Sequence, residues 1–364
     1  MRRNLWRNFD FLLFGAVVFM CLFGIVMIES AIAGNEELTG YPQRQAIFVA
    51  GGLVMVIIMA AIDYHLWSSI ARFIYVFAFA ALFVIYVYGE ARFGSARWID
   101  TGLILIQPSE IVKILMIMVL ADHFTRTWDD QKNLKWILRS FILTFGIVVW
   151  ILLQPNLSTS IVIFVIWFAL LWISGLPVKF LAILAVVGIL LVVLAFPFLE
   201  EYQQARILNF IFPDPEASYG DVYNIQQSKI AIGSGGWFGE GYGQGTQVQL
   251  RFLKVRHTDF IFSVVAEEFG FVGTTAIIAL MAFIIVRCIR VAQTTSDRYG
   301  SLLAFGYAAM LFFQTAINIG VNLNLVPVSG LPFPFLSYGG SSLVSSIVGI
   351  GLVESVALRK KIIQ

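Results

Sequence analysis

The chain has 364 residues, 59% of them hydrophobic and 13% charged, with a mean hydropathy of +0.85. Soluble domains carry about 25% charged residues, so this composition excludes a soluble globular protein and gives an integral membrane protein. A formal net charge of +2 says nothing about a nucleic-acid partner, since what matters is where the bases sit, and three histidines without ligand spacing argue against a zinc site.

The N-terminus carries Arg2, Arg3 and Arg7 before an apolar core from Phe11 to Ile28, and Ala31-Ile32-Ala33 imitates a cleavage site. The core is longer than the ~7–15 residues of a signal sequence, and this predicts an uncleaved first span. Apolar runs of span length fall at 9–31, 45–62, 70–88, 107–121, 137–153, 157–174, 180–198, 259–286, 301–320 and 338–356. The expected fold is therefore all-α, about ten transmembrane helices in one polytopic domain, with a large loop at roughly 199–258 between spans 7 and 8. An even number of spans puts both termini on one face. Counting short loops makes that face cytoplasmic, because 15 of the 24 Lys and Arg then lie inside. Most of the remainder fall in two outer segments, 92–113 and 206–256, and suggest an anionic partner there. Cys21 and Cys288 are expected near mid-bilayer and near the cytoplasmic end, too far apart for a disulfide.

Five clusters stand out along the chain. Arg97-Trp98 precedes Gln107-Pro108-Ser109-Glu110 and Lys113. Pro108 suits a first helical turn, and Glu110 and Lys113 then share a face at i, i+3. Each of those ions costs about 2.5–3.5 kcal/mol near a helix centre, which favours a functional pair over an idle one. Trp98 also reads as an interface anchor. Gln154 to Ser160 reads as an outer turn. The loop 199–258 has a turn at Pro213-Asp214-Pro215 and a glycine-rich run from Gly233 to Gly245, and is expected to lie compactly on the membrane. That run completes no nucleotide motif; it is either a turn-rich connector or a stretch whose N–H groups approach an oxyanion.

The fourth cluster, RFLKVRHTDFIFSVVAEEFGFVG at 251–273, brings Arg251, Lys254 and Arg256 up to His257, Thr258 and Asp259 at the lip of an apolar run. From the residues alone Asp259 is either a helix N-cap or a carboxylate tuned at the mouth of a basic pocket. Glu267 and Glu268 acquire no role. The fifth, Asn318 to Ser342, holds Pro327, Pro332 and Pro334 and ends in Ser337-Tyr338-Gly339-Gly340-Ser341-Ser342. Irregular backbone between spans must be buried or line a cavity, and the latter is expected here.

RWIDTGLILIQPSEIVK at 97–113, the segment 227–273 and FLSYGGSS at 335–342 together resemble the SEDS family of bacterial cell-wall proteins (shape, elongation, division, sporulation) over nearly the whole chain. GTQVQLRFLKVRHTDFIFS is more similar to the elongation branch than to the division branch. The resemblance implies a glycosyltransferase of the bacterial plasma membrane, active on the outer face. It would polymerise lipid II beside a class B penicillin-binding protein. It places the essential aspartate at Asp259 and the family's motif residues at Arg97, Trp98, Glu110 and Lys113; Arg256, His257, Ser337, Gly339 and Gly340 are expected to contact substrate beside them. A divalent cation (Mg or Mn) bridging Asp259 and diphosphate is compatible with it; a nucleotide or organic cofactor is not expected. Two departures are visible. Asn156 stands where the family usually has an aspartate, and no proline precedes the basic pair Lys254 and Arg256. A lipid-linked precursor flippase and a non-catalytic scaffold are the alternative readings.

Overall fold

The computed structural model describes residues 5–359 apart from 89, 93–94, 101–104, 131, 215 and 218. In chain order the helices are α1 (Phe11–Ile32), α2 (Tyr41–Ala61), α3 (His65–Ser69), α4 (Ala71–Tyr88), α5 (Pro108–Arg126), α6 (Leu134–Leu153) and α7 (Leu157–Ile173). They continue as α8 (Val178–Ala195), α9 (Glu201–Ile211), α10 (Gly220–Ser234), α11 (Thr246–Gln249), α12 (Ile261–Thr294), α13 (Arg298–Asn322) and α14 (Gly340–Leu358). All ten expected spans are present as helices. A small antiparallel sheet, β1 (Glu90–Arg92), β2 (Ser95–Asp100) and β3 (Leu105–Ile106), modifies the all-α expectation only in the segment before α5. The chain is a multi-pass membrane protein: seven of its helices are long and apolar enough to cross a bilayer, and α4 and α7 are shorter apolar helices.

Among the ten, α5 is the polar exception, because it carries Glu110, Lys113, Asp122, His123 and Arg126, yet most of its residues are buried. Its position explains this. It packs against α4, α7, α13 and α14 inside the bundle, where protein rather than lipid solvates the charges. At the other extreme α8 is almost wholly outward-facing, and its composition is correspondingly apolar all round. The tight pair α2–α14 is made possible by small residues, since a Cβ on Gly351 would stand 2.7 Å from that of Met59.

Four basic residues at the far end of the bundle have local acidic partners. Arg287 pairs with Asp10 at 2.5 Å, Arg126 with Asp122 at 2.7 Å, Arg298 with Asp129 at 3.3 Å and Arg359 with Asp63 at 3.4 Å. Arg2, Arg3, Lys360 and Lys361, and Pro215 of the expected turn, lie outside the described residues.

In the loop between α8 and α12 the glycine-rich part is largely exposed, yet its backbone docks into a break in α12. α12 is broken at Gly270, whose φ of 65° and ψ of −162° interrupt the helix. Gly270 lies nine residues into α12, at about 1.5 Å per residue, so the break sits well below the helix's entrance. The run after α10 docks against it. Glu240 and Gly241 donate their N–H groups to the carbonyls of Glu267 and Glu268 at 2.9 and 3.0 Å. Phe271 and Val272 donate in return to the carbonyls of Gly236 and Trp237 at 2.8 and 3.1 Å. The contact admits no side chain at its centre: a Cβ on Gly239, itself at φ +82°, would lie 2.1 Å from the Glu268 carbonyl oxygen.

The two unassigned glutamates take their roles from this junction. The Glu267 carboxylate accepts the backbone N–H of Gln247 at 2.7 Å and of Val248 at 3.2 Å, closing the first turn of α11. Glu268 accepts from the Ser30 hydroxyl of α1 and from the Gly243 N–H. One N–H of the glycine run, that of Gly243, thus approaches an anion, but it is the protein's own. Gly239→Ala or Gly270→Ala is expected to lower stability by about 3 kcal/mol or more, combining left-handed strain with overpacking. Thermal unfolding of the purified protein checks this against Gly188→Ala, whose added methyl meets open space.

Candidate active site

A cavity of about 580 Å³ lies at the entrance of α12, opposite the end that carries Arg287 and Asp10. Its walls come from the starts of α5, α7 and α14, from α9, and from the proline-rich segment before α14. Asp259 sits in its wall and is half-buried. The backbone there is held by two carboxamides of α13: Asn318 and Asn322 donate to the Asp259 carbonyl at 3.0 and 2.9 Å. Asn318 also donates to the Leu331 carbonyl at 2.9 Å, so one side chain fixes both Asp259 and the proline-rich wall.

The helix-cap alternative for Asp259 does not hold. The N-cap of α12 is Phe260, the side chain that accepts a first-turn N–H is Asn322 (Oδ1 from Ser263 at 3.1 Å), and the Asp259 carboxylate lines the cavity. Burial pushes its pKa up to about 6, with Arg206 pulling it down and Asp221 adding to the rise. A carboxylate poised there is ionised at neutral pH yet basic enough to take a proton.

Five of the expected site residues line this cavity: Trp98, Glu110, Asp259, Gly339 and Gly340. Arg97 is on β2, but its side chain lies outside the described residues. Lys113 is in the vicinity without facing the cavity. It is fully buried behind Glu110 and pairs with it at 2.8 Å, so its charge is already neutralised.

Three others are placed differently from expectation. Arg256 is buried and donates to the carbonyls of Ala31 and Leu253, tying the segment to α1. His257 packs edge-on against Tyr41 with ring centroids 5.4 Å apart, and its carbonyl accepts from the Tyr338 N–H at 2.9 Å. Burial and then Arg256 lower its pKa to about 4, so its imidazole is neutral. Ser337 donates to the Thr258 carbonyl at 2.6 Å and accepts from the Phe333 N–H at 2.9 Å. These three brace the wall from behind. Their closeness to Asp259 or Gly339 in sequence does not carry over to their side chains, because the chain turns between them.

Other residues that form or hold the wall are not marked as site residues by the sequence. Gln45 of α2 clamps the end of the proline-rich segment by donating to the Ser337 carbonyl at 3.0 Å. Ser341 accepts from the Gln107 N–H at 2.9 Å and donates to the Leu105 carbonyl at 3.1 Å, joining the start of α14 to that of α5. Asn156 caps α7 by accepting from the Thr159 N–H at 3.3 Å, and also lines the cavity. Among the described residues, Arg206 of α9 is the one cation in the wall. Its only sequence signal is membership in the basic outer segment.

The donor set does not suit a protein-held divalent cation. Of the two wall carboxylates, Glu110 is committed to Lys113 and Asp259 has an arginine near it. No group of three His, Cys, Asp or Glu side chains able to hold a metal occurs among the described residues.

Removing one partner of the buried pair should be costly. Glu110→Gln leaves Lys113 charged and uncompensated, with an expected loss of about 3–5 kcal/mol. Thermal unfolding should show that Glu110→Gln combined with Lys113→Met loses less than Glu110→Gln alone.

Comparison with known proteins agrees with the fold. The family model described as cell cycle protein, covering FtsW, RodA and SpoVE, matches residues 10–362. Peptidoglycan glycosyltransferase MrdB of Escherichia coli K12 is 35% identical over 332 residues, covering 91% of this chain and 89% of the relative. A solved peptidoglycan synthase complex, described as coordinating polymerization and crosslinking, contains a chain that superposes with a TM-score of 0.81 at 28% identity. The match covers 96% of this chain and 97% of that one. The crystal structure of the rod shape determining protein RodA of Thermus thermophilus gives a TM-score of 0.72 at 28% identity, covering 97% of both chains.

Proposed function

The chain belongs to the FtsW, RodA and SpoVE family of cell cycle proteins, and on that premise we propose that it is a peptidoglycan glycosyltransferase that polymerises lipid II with Asp259 as general base. The observation that carries this reading is the placement of Asp259. It is a carboxylate of raised pKa in a cavity wall, held by its backbone and free of any capping duty.

In this reading the 4-hydroxyl of the acceptor sugar attacks the anomeric carbon of the donor. Asp259 takes the hydroxyl proton as the new C–O bond forms. The bond from the anomeric carbon to the lipid diphosphate breaks, and its electron pair leaves with the diphosphate, so configuration inverts. Trp98, Gly339 and Gly340 shape the sugar-binding wall, and Glu110 with Lys113 forms a neutral, rigid floor. Arg97 is retained as a phosphate contact on the strength of the resemblance.

The clustering of basic residues at the end opposite the cavity supports cytoplasmic termini and a cavity open to the outer face of the plasma membrane. The likeness to a chain of a peptidoglycan synthase complex supports work beside a crosslinking class B penicillin-binding protein. The outward-facing apolar surface of α8 suits polyprenyl tails.

Removing a general base costs about 10²–10⁴-fold in rate. Gel analysis of polymer made from labelled lipid II by the purified pair should therefore show that loss in Asp259→Asn and Asp259→Ala. Near wild-type polymer from either variant would rule out Asp259 as the base.

A further inference from the structure

The mechanism above leaves one charged arrangement unused. Arg206 projects from α9 into the cavity wall, and its Nε donates to the Asp221 carboxylate of α10 at 3.1 Å. One of its terminal nitrogens shares the neighbourhood of Gly330 with Asp259: a Cβ built on Gly330 would stand 4.0 Å from Arg206 Nη1 and also 4.0 Å from Asp259 Oδ2, and the guanidinium acts on that carboxylate through space. The three side chains form a row of alternating charge, Asp221, Arg206, Asp259. Arg206 is about one-third exposed, so its guanidinium can be reached from the cavity.

We propose that Arg206, braced by Asp221, is the cavity's receiving cation for the substrate's diphosphate, and that the arriving anion draws it away from Asp259 and thereby strengthens the base. This deepens the proposed glycosyltransferase reading and rests on it. In the empty cavity the guanidinium favours the ionised, weakly basic form of Asp259. A diphosphate presents oxygens that match the planar fork of an arginine better than one distant carboxylate does. When it engages Arg206, Asp259 loses the field of that guanidinium and gains a nearby anion. Both changes raise its proton affinity at the moment the acceptor hydroxyl must be deprotonated. Loss of the leaving group then restores the resting row.

Among the described side chains, the other groups around Asp259 do not take over this task. Glu110 and Lys113 across the cavity cancel each other, Arg256 is turned into the protein, and His257 is neutral. Asn318 and Asn322 of α13 are uncharged and hold the backbone, and α7 contributes Asn156 and Ser158.

The test is the pH dependence of lipid II polymerisation by the full chain with its crosslinking partner. The acid limb of kcat/KM reports the free enzyme and that of kcat the substrate complex. In the wild type the kcat limb should lie at higher pH than the kcat/KM limb. In Arg206→Gln the kcat/KM limb should rise by about one pH unit, the low end of a neighbouring arginine's effect, closing the gap, and KM should increase. Asp221→Asn should move the kcat/KM limb to lower pH. Arg206→Lys keeps the charge and should leave the limbs near their wild-type positions, while kcat/KM falls because the fork is lost. Limbs that stay put in both Arg206→Gln and Asp221→Asn would overturn the proposal, even with Asp259→Asn inactive. Polymerisation by Asp259→Asn would instead overturn the reading on which it rests. If Arg206→Gln does not elute as a folded complex, the limb of Asp221→Asn decides alone.

Discussion

A peptide group left without a hydrogen-bond partner inside a bilayer costs several kcal/mol, and the architecture around the cavity follows from how one such cost is met. α12 is interrupted at Gly270, which exposes carbonyls on one side of the break and N–H groups on the other. The glycine run after α10 supplies both complements, which fixes where α10 lies and draws α11 onto the Glu267 carboxylate. Glu268 ties the same junction to α1 through Ser30. The segment carrying Asp259 is thus suspended between a fixed point below, at the break, and the asparagines of α13 beside it.

Much of this is legible in the sequence, and the rest is hidden for physical reasons. Apolar run length gives all ten spans, because the bilayer sets it. The charged α5 is also visible as a span, and its Glu110–Lys113 pair follows from helical spacing. The break at Gly270 is not visible. A glycine in an apolar run is common in membrane helices, and only the docking of distant backbone makes this one non-helical. The roles of Glu267 and Glu268 are hidden with it, although two carboxylates with a glycine two positions on, downstream of a glycine run, is the combination that could have suggested a packed junction.

The site shows the same division. Asp259 emerges from sequence as one of two alternatives, and only geometry removes the cap. Arg256 and His257 are adjacent to it along the chain but point elsewhere, while Arg206 is more than fifty positions away and shares its cavity. In a turn with no helical or strand period, sequence proximity says little about which side chains converge. The missing family carboxylate at Asn156 finds a physical counterpart: the residue still caps α7 and still lines the cavity, without adding negative charge beside Asp259.

The grip of Asn318 and Asn322 on the Asp259 carbonyl has a broader implication. Because the anchor is made to the main chain, position 259 keeps its place whatever side chain it bears. Architecture and reactivity are thereby uncoupled at this residue. An inert isostere would leave a full-shaped cleft able to trap a reactant complex that cannot turn over, which makes the position a handle for capturing that complex as a stable species.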